Sequence, residues 1–156
     1  MRRAILQMLA LVFLGTAVSF AYNAASPKSV PISGGKQAIL QQQGTRMLTT
    51  DEVKFYAQQP GTLLVDARSF EEYELGHIKG ALSLPLDSFD KDFGAVAPQL
   101  RQAKLIIVYC SGGSCGTSEE LAKKLQESGL RGLAVYSDGL PGWMRAKLPI
   151  ASGAER

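Results

Sequence analysis

Five consecutive apolar residues, Leu105-Ile106-Ile107-Val108-Tyr109, run without a break into Cys110 and a glycine-rich segment. A strand with one wet face alternates apolar and polar residues. An unbroken run of branched and aromatic side chains suits a central parallel strand covered on both faces. Parallel neighbours need crossover connections, usually helical, so helices are expected on each side. The rest of the chain fits. Thr49-Thr50-Asp51-Glu52 starts a helix, with Thr49 as cap and Glu52 three residues on. Val53, Tyr56 and Ala57 form its apolar face, and Gln59-Pro60-Gly61 stops it. Thr62 to Val65 reads as a buried strand ending at Asp66. Phe70 to Leu75 is a short helix closed by Gly76, and Ala81 to Leu84 a short strand stopped by Pro85. Leu86 to Gln102 predicts one or two short helices, broken at Gly94 and Pro98. Thr117 to Ser128 is a helix with a Thr117/Glu120 capping box, a buried face of Leu121, Ala122 and Leu125, and Gly129 at its end. Leu133 to Tyr136 is a further strand, and Leu140 to Ala146 a last short helix containing Trp143. Alternating strands and helices predict an α/β domain with a mainly parallel sheet. In such sheets the site lies beyond the carboxyl ends of the strands, where Asp66 and Cys110 both fall.

The 156 residues, less a targeting segment, suit one domain able to bury a core without staples. The net charge of +3 is small and scattered, with no basic stripe interleaved with aromatics, so no nucleic-acid partner is expected. Residues 1–25 open with Arg2-Arg3, and Ala4 to Tyr22 is apolar or small apart from Gln7, Thr16 and Ser19. A secretory signal cut near Ser19-Phe20-Ala21 competes with an uncleaved anchor, which needs about 17–25 apolar residues. The length favours the anchor, a hydrophobic helix contacting membrane through residues 4–22. The paired arginines would stay cytoplasmic and the domain would face the periplasm or exterior. Cleavage would instead secrete it to the periplasm. Residues 26–45 hold Pro27, Pro31, Gly34, Gly35 and Gln41-Gln42-Gln43 and read as a linker. The folded domain is expected over 46–150, with a tail over 151–156.

The segment after Cys110 contains Ser111, Gly112, Gly113, Ser114 and Gly116. With no bulky side chains, its backbone N–H groups can turn inward around one point. The helix from Thr117 adds its positive end there. An anion is favoured at that centre. If it is the Cys110 sulfur, the thiol should ionise below its usual value of roughly 8.5, and a persulfide on it would be held by the same cradle. The plain alternative is a small buried hydrophobe at a strand end. A phosphate-binding P-loop is excluded because no Gly-Lys-Ser/Thr follows. Zinc is disfavoured, since two cysteines with four residues between them supply only two ligands and the single histidine is distant. No metal and no cofactor is expected.

At this point the residues resemble a known family. Val65-Asp66-Ala67-Arg68 through Glu72-Tyr73 to Gly76-His77-Ile78-Lys79-Gly80-Ala81 is similar to the rhodanese signature VDxRxxxEYxxGHIxGA. Val108-Tyr109-Cys110 and the loop after it resemble that family's active-site segment. Tyr136-Ser137-Asp138-Gly139-Leu140-Pro141-Gly142-Trp143 resembles its closing GGxxxW, with Asp138 replacing one glycine. The likeness spans Arg46 to Ile150. It implies a single three-layer domain, with a mostly parallel five-stranded sheet and helices on both faces. It also implies that Cys110 forms a persulfide and passes sulfur from a small donor to a thiol acceptor, splitting one transfer into two steps. The family loop usually places an arginine sixth, counting from the cysteine; here that position is Cys115. With no charge on Ser111 to Ser114, thiosulfate is an unfavoured donor. The missing arginine also argues against cysteine phosphatases and arsenate reductases, which clamp an oxyanion with it.

Asp66 and Arg68 are expected to pair with each other or with Glu72 and to order the surrounding loops. His77 and Trp143 are read as structural. Cys115 either fills space or resolves Cys110, attacking its persulfide, releasing sulfide and leaving a Cys110–Cys115 disulfide. The reading is therefore an extracytoplasmic sulfurtransferase. Its alternatives are a thiol–disulfide redox protein using Cys110 and Cys115, or a non-catalytic binding module.

Overall fold

The computed structural model describes residues 45–113 and 115–153. Seven strands and five helices are seen among them: β1 (Arg46–Leu48), α1 (Thr50–Tyr56), β2 (Thr62–Asp66), α2 (Phe70–Leu75), β3 (His77–Ile78), β4 (Leu82–Ser83), α3 (Phe89–Gln102), β5 (Leu105–Tyr109), α4 (Thr117–Glu127), β6 (Leu133–Tyr136), α5 (Gly139–Arg145) and β7 (Ile150–Ala151). The main sheet has the order β1-β6-β5-β2-β4, and every pairing in it is parallel. This is the expected five-stranded architecture with β5 at its centre. The segments assigned to an anchor or signal (1–25) and to most of the linker (26–45) lie outside the described residues. Among the described residues no helix is long and apolar enough to cross a membrane.

The unbroken apolar run of β5 is explained by its two neighbouring layers. Ile106, Val108 and Cys110 join a buried cluster with Phe89 and Leu100 of α3 and Leu121, Ala122 and Leu125 of α4. Ile107 and Tyr109 join the opposite cluster, with Val53 of α1 and Leu140 and Trp143 of α5. Alternation along the strand thus sends successive side chains to different helix layers. It also decides where Cys110 points, which is the face occupied by α4.

The Thr49/Glu52 capping box forms on α1, and a second, Ser69/Glu72, forms on α2. Two local expectations fail. Leu86 to Gln102 is not broken at Gly94 or Pro98; a single helix runs through both. Gly94 and Pro98 are exposed, whereas Phe89, Ala97 and Leu100 are buried and Phe93 and Val96 pack beside them. Burial along one face outweighs the weak propensity, and water can satisfy the carbonyl freed by the proline. The Thr117/Glu120 box does not form either. Gly116 is the cap residue and makes no side-chain cap, because Thr117 already lies inside α4.

The domain reaches past Ile150. Ala151 pairs antiparallel with His77 in a two-stranded sheet, and the Gly153 N–H donates to the Glu74 carbonyl at 2.8 Å. The first residues of the expected tail therefore belong to the folded body. The Trp143 indole donates to the Pro149 carbonyl at 2.9 Å and stands edge-on to Tyr136, the structural role expected of it.

Candidate active site

Three parallel strands end side by side, and the segments leaving them build the site. Cys110 follows β5, Ala67 and Arg68 follow β2, and Ser137 to Gly139 follow β6. Backbone bonds tie the three exits together. The Ala67 N–H donates to the Tyr109 carbonyl at 2.9 Å, and the Leu140 N–H donates to the Cys110 carbonyl at 3.0 Å. At two glycines these segments approach backbone to backbone. Gly112 and Gly139 both hold positive φ, at 76° and 56°. A Cβ on Gly139 would fall inside 3.0 Å of the Cys110 carbonyl oxygen and of the Gly112 nitrogen and Cα. A Cβ on Gly112 would meet the Asp138 carbonyl just as closely. Glycine is required at both positions for sterics and for conformation. Asp138, standing where a glycine was expected, accepts a hydrogen bond from Thr50 Oγ1 at 2.9 Å.

Cys110 is buried, with 1% of its surface exposed, while Cys115 is partly exposed; both are free thiols. The Ser118 hydroxyl donates to the Cys110 sulfur at 3.4 Å, and the Gly112 and Ser118 N–H groups also point at it. Its own thiol donates towards the Cys115 carbonyl at 3.5 Å and lies within hydrogen-bonding reach of the Cys115 sulfur. The expectation that the cradle would lower the Cys110 pKa is overturned. Burial pushes the Cys110 thiol up, the hydrogen bond to Cys115 adds to this, and the donors from Ser118 and Gly112 offset only part. At Cys115 burial also pulls upward, but less. Hydrogen bonds from Cys110, from the Thr117 side chain and N–H, and from the Ser111 N–H outweigh it and leave this thiol below its usual value. The N–H groups opening α4 are shared, Thr117 serving Cys115 and Ser118 serving Cys110. The donors around the two sulfurs favour charge on Cys115 over Cys110.

The order of ionisation follows. With Cys115 shifted down and Cys110 up, Cys115 is expected to lose its proton before Cys110 as the pH rises. Alkylation by iodoacetamide, mapped by peptide across a pH series, should therefore label Cys115 first. Equal pH profiles for the two cysteines would refute this order.

The other predicted residues fall into two groups. Asp66 is fully buried and forms an ion pair with Arg68 at 2.5 Å, as expected. Arg68 also donates to the Gly76 carbonyl at 2.7 Å, so the end of β2 is bound to the end of α2. Glu72 does not pair with Arg68. Its carboxylate closes the α2 capping box and accepts from the Ser111 hydroxyl at 3.5 Å, which brings it to the cysteine loop. His77 is fully buried in β3, its ring stacked on Tyr73 with centroids 3.7 Å apart and Nδ1 2.8 Å from the Tyr73 carbonyl. That is a structural placement, in the small sheet rather than at the cysteines. Gly113 and Gly116 shape the loop, with Gly113 at φ 66°; Ser114 lies outside the described residues. No cluster of three or more metal-ligating side chains occurs among the described residues.

Comparison with known proteins decides the family. The model of the rhodanese-like domain matches residues 49–146, from the α1 cap to just past α5. The chain belongs to the rhodanese-like domain family. A tRNA uridine(34) hydroxylase of Pectobacterium carotovorum is 40% identical over 68 residues, which cover 42% of this chain and 19% of that protein. The chain thus spans about a fifth of that relative's length. The crystal structure of a thiosulfate sulfurtransferase from Pseudomonas aeruginosa superposes with a TM-score of 0.59 at 27% identity, over 72% of this chain and 21% of that one. A Bacillus halodurans protein shares the fold, with a TM-score of 0.60 at 22% identity over 69% of this chain and 77% of its own.

Within this rhodanese-like site two contributors escaped the sequence reading. Ser118 has a signal: it lies on the first turn of the helix after the loop, eight residues from Cys110, where a side chain can face the strand end. The pairing of Gly139 with Gly112 has none beyond the closing motif, because it joins segments far apart in sequence.

Proposed function

We propose that this rhodanese-like domain is a sulfurtransferase in which Cys110 carries the transferred sulfur as a persulfide. The observation that carries the reading is the surround of the Cys110 sulfur, with N–H groups of Gly112 and Ser118 and the Ser118 hydroxyl converging on one atom at a strand end. These donors suit the negative charge of a persulfide better than a neutral thiol. The transfer has two displacements. A thiolate takes the outer sulfur of the donor, whose thiolate leaves; an acceptor thiolate later takes that sulfur from Cys110, which leaves as thiolate.

The donor class follows from charge. Among the described residues of the loop there is no cation, and the Glu72 carboxylate contacts Ser111. A doubly charged thiosulfate gains nothing there, whereas a low-molecular-weight persulfide or polysulfide needs no clamp. The proposed setting is outside the cytoplasm, supported by the paired arginines and the apolar run over residues 4–22. A second reading, a thiol–disulfide redox protein, draws on the contact between the two cysteines.

Intact and peptide masses after exposure to thiosulfate, polysulfide or glutathione persulfide separate these readings. One sulfur added on Cys110, removed by an acceptor thiol, is the expected result, with thiosulfate the poorest donor. Loss of two hydrogens, reversed by reductant and abolished by either Cys110→Ser or Cys115→Ser, selects the redox reading. The proposal fails if sulfur never appears on Cys110.

A further inference from the structure

We infer that sulfur enters this site on Cys115 and is handed from there to Cys110, so the loop carries two sulfur positions in series. The inference rests on the sulfurtransferase reading above.

Access is the first ground. The Cys110 sulfur lies in the core cluster beneath α3 and α4, with 1% of the residue exposed, and Cys115 packs against that cluster while remaining partly exposed. The Cys110–Gly112 arm of the loop is locked on Asp138 and Gly139, with no room for even one added carbon between them. A donor arriving from solvent therefore meets the Cys115 sulfur before the Cys110 sulfur.

The second ground is how the hydrogen bonds are divided. Ser111 and Thr117 N–H groups stabilise charge on Cys115 in the free site, and those of Gly112 and Ser118 hold charge on Cys110 once a persulfide is there. Two separate anion positions are built, one at the surface and one inside.

The chemistry balances without an oxidant or reductant. The Cys115 thiolate attacks the outer sulfur of a persulfide R–S–SH. The Cys115–sulfur bond forms, the sulfur–sulfur bond of the donor breaks, and R–S⁻ leaves. Cys110 then attacks the outer sulfur on Cys115. Its new sulfur–sulfur bond forms, the Cys115–sulfur bond breaks, and the Cys110 proton passes to the departing Cys115 sulfur. The product is a Cys115 thiol and a Cys110 persulfide, which releases its outer proton to water to become the anion, with the transferred sulfur at the same oxidation level throughout. Exchange is faster when the leaving thiol is the more acidic one, and the more basic thiol is intrinsically the stronger nucleophile. With Cys115 shifted down and Cys110 up, Cys115 is the better leaving group for passage inward, and Cys110 attacks as its proton is passed on.

The test uses the full chain, glutathione persulfide as donor, rapid quenching with an alkylating agent, and peptide mapping of the added sulfur. In the unaltered protein sulfur should appear on Cys115 first and then on Cys110. Cys110→Ser should trap it on Cys115. Cys115→Ser and Cys115→Ala should both load Cys110 at least about tenfold more slowly, with melting curves showing that both are folded. Loading of Cys110 at the unaltered rate in both Cys115 variants overturns the relay. So does Cys110→Ser that takes up no sulfur on Cys115 while the unaltered protein loads. A Cys110–Cys115 disulfide with release of sulfide as the main product also overturns it, since Cys115 would then resolve rather than load. If the unaltered protein takes up no sulfur on either cysteine, the sulfurtransferase reading itself fails.

Discussion

Gly139→Ala is expected to destabilise the domain by about 3–5 kcal/mol, near the upper end for a single substitution. Two penalties act together. Alanine disfavours the φ of 56° that Gly139 holds, and its Cβ would press on the Cys110 carbonyl and the Gly112 backbone. Rigid peptide groups stand on both sides, so no flexible side chain can give way. The Cys110 carbonyl must shift, and the Leu140 N–H that it accepts shifts with it. Denaturant midpoints measure the stability, and sulfur loading on Cys110 measures the alignment. Gly113→Ala is the comparison: its φ is also positive, at 66°, but no atom lies within 4 Å of its Cβ. It should carry only the conformational penalty of about 1–3 kcal/mol. Equal losses for the two variants would show that the close approach of the loops is not what matters.

Arg68→Ala is expected to cost a similar amount, about 3–5 kcal/mol, because it strips the partner from a buried carboxylate. Asp66 is 0% exposed and receives the guanidinium, the Arg68 backbone N–H at 3.0 Å and the Tyr109 hydroxyl. Burial, with the adjoining Asp66 charge, pushes the Tyr109 hydroxyl far above its usual range, so it stays protonated and able to donate. That hydroxyl in turn accepts from the Ile78 N–H at 3.1 Å. One carboxylate therefore binds β2, β5, the end of α2 and the start of the small sheet. Replacing both members, as in Asp66→Leu with Arg68→Met, should recover part of the loss, because no unpaired charge then remains buried. A double variant no more stable than Arg68→Ala alone would contradict this account.

The elements read most accurately from sequence were those fixed by local chemistry. β5 was legible in an unbroken apolar run, α2 in the short segment closed by Gly76, and β2 in the short run from Thr62 to Val65 ending at a carboxylate. The central assignment of Cys110 to a strand end followed from the same run. What was not legible depended on depth. Gly94 and Pro98 weaken a helix locally, and only the buried face through Phe89, Ala97 and Leu100 holds it continuous. Thr117 looks like a cap until the loop is closed, when it lies inside α4 and the Glu120 N–H donates to the Gly116 carbonyl instead. The expectation of a low-pKa Cys110 thiol also failed on depth. The count of N–H donors can be guessed from glycines, but the burial that outweighs them at Cys110 cannot.

The strand order bears on how the chain folds. Among the described residues β1 is the first strand and pairs in the main sheet with β6 alone, with Arg46 opposite Ala134. Nearly ninety residues separate the two by the numbering of that pair. Pairings so distant in sequence are slow to form, since the intervening chain must be closed first. On a chain emerging from the ribosome, β1 waits for β6, while β2 finds β5 about forty positions away, with Thr62 opposite Leu105. The edge carrying Arg46 to Leu48 is thus the last part of the sheet to be covered. Until then Leu48, which the fold buries, stays open to chaperones or to other chains.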